Sequence, residues 1–427
     1  MMCEVHSNVP HICPAIKSNI EAPNLYDEVI CLFHRRGYEI TPECLDQGWT
    51  EIYEPHTCKK NSICYTSLRS DEASKMLRCA IVGVGRWGQR LVDSCQQRGR
   101  PLTDSICFTH AVARSPEKYT AYCSRQQLVL ETDYKSVIGD NNVDAVVLAT
   151  PHSQHFEQIR SAAEAGKHIF VEKPFTLGLE HAVLAADSAV AAGIVLAVGH
   201  NRRFLPALQK MKSMIDSGAL GTITHMEGNF SGPFALGYDQ TMWRANAKES
   251  PAGGLTAMGI HIIDAFIHLG GPMSTVCAVS SGNVLDVDID DTTSVMLNFE
   301  NSVSAIFSTL CATARQWRLQ VFGTKGWAQL RDHHVFDTCF NNQQHAETTL
   351  FHEIDIELAE LQAFADACQG GAEYPVTLED AVHGIAVQDA IIESAKFFGD
   401  RRRINYHEKW HPKARDEAPF PNPKDCN

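Results

Sequence analysis

The chain has 427 residues, and at about 150 residues per domain that length calls for two or three structural units. Hydrophobic residues make up 44% and charged residues 21%, which excludes wholesale disorder. The formal net charge of −14 argues against a dedicated nucleic-acid binder, and the strongest apolar stretch, around Ala191 to Val198, is far shorter than the ~18 residues of a membrane span.

Residues 1–75 differ from the rest of the chain. They hold six of the 15 cysteines (Cys3, Cys13, Cys31, Cys44, Cys58, Cys64) and only two of the 28 glycines. The odd count, with no charged-then-apolar leader before it, reads as reduced thiols in a cytoplasmic protein. Cys3, His6, His11 and Cys13, or His56, Cys58 and Cys64, match no familiar zinc spacing, so no metal is expected. One helix is predicted, with Asn24 as its N-cap and Gly37 as its stop. Lys59–Lys75 reads as a polar linker, and the whole segment as a weakly ordered extension. Met76 would itself make a plausible start, so the extension is an add-on or the product of an upstream start codon.

At Leu77 the pattern changes. Leu77–Val82, Ile106–Ala113, Val143–Ala149, His168–Val171 and Ile194–Val198 are short apolar runs. Helix-length segments such as Ser153–Ala165 and Gly178–Ala192 separate them. Strands buried on both faces and alternating with helices predict a parallel, doubly wound Rossmann sheet over 76–200. From about residue 222 the rhythm shifts. A helical segment, Gly253–Leu269, precedes the strand-like runs Val276–Gly282, Thr292–Phe299, Val303–Leu310, Trp317–Phe322 and Ala328–Arg331. Two amphipathic helices come next, near Glu353–Gln369 and Leu378–Phe398. This predicts an α+β domain over 201–404 with an open, mostly antiparallel sheet, then an irregular tail over 405–427.

Three motifs carry chemistry. Gly83-Val84-Gly85-Arg86-Trp87-Gly88 is a G-x-G-x-x-G between strand and helix. Its glycines allow the tight turn, the approach of backbone to a pyrophosphate, and close helix–sheet packing. The second strand ends at Arg114-Ser115 rather than at an acidic residue. Arg114 would pair with a 2′-phosphate and Ser115 would donate to it, which favours NADP over NAD. The alternative is a solvated arginine at a loop start. Glu172-Lys173-Pro174 comes directly after the strand His168–Val171, where ligands of open α/β sheets bind. There Lys173 could polarise a substrate oxygen, and the Lys173–Pro174 bond is a candidate cis bond.

In order and spacing, these segments resemble the Gfo/Idh/MocA oxidoreductases from about Met76 to residue 400. The resemblance rests on Ala80–Gly88, Ala149-Thr150-Pro151 with His155, Ala165–Pro174, Asn201-Arg202-Arg203-Phe204, Trp243-Arg244 and Gly259–Asp264. It implies NAD(P)-dependent oxidation or reduction at a hydroxyl-bearing carbon of a sugar, cyclitol or related polyol. It also implies Thr150, Pro151 and His155 near the nicotinamide and Lys173 at the substrate. His261, on the helix opening the second domain, is the expected acid–base partner of Lys173. The family pattern places an aspartate four residues before this histidine, and this chain has Ala257. Either Lys173 and His261 work alone, or substrate contacts differ, or the chain has become a cofactor- or sugar-sensing regulator.

Arg202, Arg203, Trp243 and Arg244 are further substrate candidates. Exposed ion pairs and a packing tryptophan are the bland alternatives. Asp286, Asp288, Asp290 and Asp291 lack the pattern of a calcium loop and are expected to be solvated. Arg401–Arg403 is expected as a solvated patch. Homo-oligomerisation through the C-terminal sheet is a further expectation.

Overall fold

The computed structural model describes residues 76–405, together with the backbone of two short segments nearer the N-terminus. Two compact units divide the chain, Met1–Ala73 and Ser74–Asn427. In the first, Tyr53–Thr57 pairs antiparallel with Ile63–Ser67. The second of these strands falls inside the stretch expected as a linker, where β-prone Ile63, Tyr65 and Thr66 outweigh the polar flanks. The helix expected over 24–37 and the tail beyond residue 405 lie outside the described residues.

In the second unit, the short apolar runs become strands buried on both faces, joined at one edge by the short, more exposed strand Val129–Glu131. They are β1 (Leu77–Val82), β2 (Ile106–Val112), β3 (Val129–Glu131), β4 (Ala145–Leu148), β5 (His168–Glu172) and β6 (Leu196–Gly199). All pair in parallel, in the order β6-β5-β4-β1-β2-β3. Helices α1 (Arg86–Cys95), α2 (Thr120–Gln126), α3 (Tyr134–Ile138), α4 (His155–Glu164) and α5 (Leu179–Ala192) connect them. The strand order reverses between β1 and β4. Their carboxyl ends therefore diverge and open the crevice where such sheets bind ligands.

After α6 (Pro206–Asp216) comes a second sheet. Its strands are β7 (Ile223–Ser231), β8 (Met273–Ser281), β9 (Thr292–Phe299), β10 (Ser304–Leu310), β11 (Gln316–Gly323), β12 (Gly326–Arg331), β13 (Val335–Phe340), β14 (Glu347–Leu350) and β15 (Arg402–Arg403). Their order is β14-β13-β12-β11-β7-β10-β9-β8-β15, with only β7 and β10 parallel. Helices α7 (Ile260–Gly270), α8 (Ile356–Cys368) and α9 (Leu378–Lys396) complete the unit. The central strand β7 lies under α7. A Cβ at Gly228 would come within 2.5 Å of Ile262 Cγ2, so glycine is what lets the helix carrying His261 sit this close to the sheet.

One expectation is corrected here. Asp291 is buried, not solvated: its carboxylate accepts the N–H groups of Asn283 (2.6 Å) and Val284 (2.7 Å), pinning the turn before β9. Arg401 and Arg403 are exposed, and Arg402 and Arg403 form an edge strand paired with β8. The eight described cysteines are all free thiols. No described helix is long and apolar enough to cross a membrane.

Candidate functional site

The glycine turn leaves β1 with Gly83 at φ +95°, a left-handed conformation. A Cβ at Gly88 would lie 2.0 Å from the Gly83 carbonyl oxygen, so only glycine lets α1 begin against the turn. A Cβ at Gly85 would meet nothing within 4 Å. The turn thus presents bare backbone and a helix N-terminus to open space, a cradle that fits a dinucleotide pyrophosphate. At the carboxyl end of β2, Arg114 is exposed and Ser115 half-buried.

Beside the turn lies a cavity of about 270 Å³, into which both halves of the unit contribute. Gly85, Arg86, Trp87, Thr150, Glu172 and Lys173 come from the nucleotide half; Arg202, Trp243, Arg244 and His261 come from the other. The Lys173–Pro174 bond is cis. Lys173 Nζ donates to the carbonyl oxygen of Ala257 at 2.7 Å. Five residues, Leu255–Gly259, form a π-helical turn before α7. Ala257 brings no carboxylate, but its main chain supplies the lysine with an acceptor.

Burial draws the Lys173 ammonium down to about 8, against the opposing pull of Glu172. Burial pushes the Glu172 carboxyl up from its usual range. His261 is buried, and its imidazole lies well below the usual range, first through burial and then through the charges of Arg202 and Lys173. Arg202 Nη1 stands 3.3 Å from His261 Nε2. A guanidinium only donates, so Nε2 is the acceptor and the ring proton sits on Nδ1.

The loop carrying Trp243 and Arg244 is fastened to the nucleotide half by one residue. Glu249 accepts hydrogen bonds from the Ser153 hydroxyl and from the Ser153 N–H (3.1 Å), and its carbonyl lies 2.7 Å from His152 Nδ1. The His152 ring meets Trp243 edge-on at 4.8 Å, and Arg244 lies 4.0 Å over the Trp243 ring.

Several candidates from the sequence fall outside this cavity. His155 is fully buried behind it, with Nδ1 2.9 Å from the Pro174 carbonyl and Nε2 3.2 Å from that of Thr150. It joins the Thr150-Pro151 turn to the Lys173-Pro174 turn. Arg203 does not line the cavity either. It is 1% exposed and bound to Asp264 (2.9 Å) and Asp380 (2.9 Å), a clamp between the start of the second half and helices α7 and α9. Its neighbour Arg202 points the other way because the two lie in one short 3-10 turn, Asn201–Phe204. Sequence reasoning missed His152, Glu249, Phe230 and Tyr238. Only His152, two residues after Thr150, stood near a motif. Among the described residues no three His, Cys, Asp or Glu side chains converge as a metal site. The two cysteine–histidine groupings near the N-terminus lie outside the residues whose side chains are described.

Residues 77–200 match the model of the oxidoreductase family with an NAD-binding Rossmann fold, and residues 208–329 match the GFO/IDH/MocA C-terminal domain. A scyllo-inositol 2-dehydrogenase (NAD(+)) of Bacillus subtilis is 30% identical over 347 residues, covering 74% of this chain and 94% of that protein. An uncharacterized oxidoreductase of the same organism is 28% identical, covering 60% of this chain and 74% of its own length. A levoglucosan dehydrogenase solved with NADH and levoglucosan shares the fold at a TM-score of 0.69 and 23% identity, over 77% of this chain and 99% of that one. Motif order, strand order and these matches agree: the chain belongs to the GFO/IDH/MocA family of oxidoreductases, with the family's NAD-binding Rossmann fold and C-terminal domain.

Proposed function

We propose that this chain is an NAD(P)-dependent dehydrogenase or reductase, NADP-preferring, acting at a CH–OH or carbonyl carbon of a sugar, cyclitol or related polyol. The observation that carries the reading is the convergence of Lys173 and His261 on one cavity beside the glycine turn. A bound nicotinamide dinucleotide would supply the hydride acceptor or donor. Gly85, Arg86 and Trp87 would hold it, with Thr150 and Glu172 near its reactive end. His261, kept neutral by its surroundings, takes the alcohol proton. Lys173, held by the Ala257 carbonyl, keeps further N–H groups for the developing alkoxide. His155 positions the two turns rather than touching substrate.

The NADP preference rests on Arg114 and Ser115 at the end of β2 and on the lack of an acidic residue at that strand end. The partner of the protein is a second copy through the second sheet. Cys277, Met296 and Ile306 face one another across β8, β9 and β10, and Met296 and Ile306 are 57% and 42% exposed.

The test is a titration with NADPH and NADH, then a screen of polyols and sugars for cofactor reduction. Binding with turnover is expected, and Arg114→Ala is expected to erode the NADP preference. Cofactor binding with no turnover on a broad panel would favour the sensing protein that the alanine at position 257 first suggests. Sedimentation measures the assembly, and a monomer at micromolar concentration refutes the sheet-mediated one.

A further inference from the structure

We infer that the polyol taken by this cavity carries an anionic group, a carboxylate or a phosphate, received by Arg202 beside the base. The inference rests on the dehydrogenase reading and narrows its substrate class.

Cations are in surplus here. Arg86, Lys173, Arg202 and Arg244 line the cavity, against the single carboxyl of Glu172. Arg86 belongs to the dinucleotide turn, which leaves three for the substrate side. Elsewhere in this unit, the buried Arg203 pairs with Asp264 and Asp380, and the half-buried Arg78 and Arg318 pair with Asp144 and Glu227. Arg202 has none within ion-pair distance among the described residues. Three acids act on its charge, Glu357 first and then Glu360 and Glu172, and Glu357 is taken by Arg90 (2.7 Å) and by the Asn201 amide (2.9 Å). Arg202 Nη1 donates to Asn201 Oδ1 at 2.7 Å and reaches His261 Nε2, its side chain lies against the Phe230 ring, and its Nε is buried with no acceptor. An unpaired guanidinium lining a cavity is a receptor for an anion.

The position of Arg202 also bears on catalysis. Its Nη1 covers the lone pair of the base. A neutral polyol offers no acceptor strong enough to draw it away, whereas a carboxylate or phosphate does, because charge-assisted hydrogen bonds are roughly twice as strong as neutral ones. The anionic group therefore frees Nε2. The substrate O–H bond then breaks with its proton going to Nε2. The C–H electron pair leaves as hydride to an oxidised nicotinamide dinucleotide, and a carbonyl forms. The substrate is oxidised, the dinucleotide reduced, and the anionic group unchanged.

Matched pairs test this on the full chain: D-gluconate with D-glucitol, D-galacturonate with D-galactose, and glucose 6-phosphate with glucose. The first two read the carboxylate and the third the phosphate. The expected result is a kcat/KM at least about tenfold higher for the anionic member of one kind of pair. Arg202→Gln is expected to lower that ratio about tenfold, and Arg202→Lys to restore part of it. NADPH fluorescence verifies that each variant still folds. Equal kcat/KM within every pair, or an unmoved ratio in a cofactor-binding Arg202→Gln protein, overturns the inference alone. Absence of turnover on all substrates overturns the dehydrogenase reading instead. Calorimetry of gluconate against glucitol and of glucose 6-phosphate against glucose on the cofactor-loaded protein then decides the anion preference by itself, with equal affinities within both pairs overturning it.

Discussion

His261 is a buried imidazole ringed by positive and titratable groups: Arg202 and Lys173 most strongly, then His200 and His333. Each disfavours the imidazolium, so the ring stays a competent base far into mildly acidic solution. The kcat/KM profile should therefore hold its acid limb below the ordinary histidine value and fall on the alkaline side near 8, where Lys173 loses its proton. Removing the neighbouring cation with Arg202→Met makes the imidazolium easier to form, so the acid limb should move to higher pH. A limb that stays in place would show that Arg202 does not act on His261. His261→Ala should cost about 10²–10⁴ in kcat while leaving NADPH binding intact, as measured by steady-state rates beside fluorescence titration. Lys173 and His261 could be picked out in the sequence because each sits in a motif with its own spacing. Arg202 and Arg203 could not be told apart there. Adjacent residues in a 3-10 turn point in different directions, and what each meets is fixed by elements 59 to 177 residues away, Asp264 and Asp380 in one case and His261 in the other.

At the scale of elements, the strands of the first sheet were legible because burial on both faces writes an unbroken apolar run. β7 was not. Ile-Thr-His-Met-Glu-Gly-Asn-Phe-Ser mixes polar residues with a glycine, since one face is half-exposed and the other must admit α7. β3 was missed for a related reason: as an edge strand of three residues it has little apolar surface to bury. The element-level link with the largest expected energy is the Arg203 clamp. Its carboxylate Asp264 is buried on α7, so Arg203→Met leaves a charge without a partner and should destabilise the protein by about 3–5 kcal/mol. Chemical denaturation reads this. The burial cost of Asp264 opposes ionisation, yet Arg203 holds its carboxyl below the usual range. The clamp's contribution is therefore present above the unfolded aspartate value near 4 and fades as pH falls through the lower folded one. Wild type and variant should converge in stability toward that acid range.

On the whole-molecule scale, the two sheets close one unit around a shared cavity, and the Met1–Ala73 unit has its own contacts. A chain beginning at Met76 should therefore keep its affinity for NADPH, and a loss of binding in that shortened chain would show the first unit to be needed for the fold. One segment that spans both halves is the loop fastened by Glu249 to His152 and Ser153. That fastening sets a clock. One carboxylate and one carbonyl hold the loop of Trp243 and Arg244 at the cavity wall, and turnover paced by their release instead of by proton or hydride movement would depend on solvent viscosity. Glu249→Ala should then raise KM and speed product escape. Solvent viscosity should slow the native enzyme and leave the variant nearly insensitive.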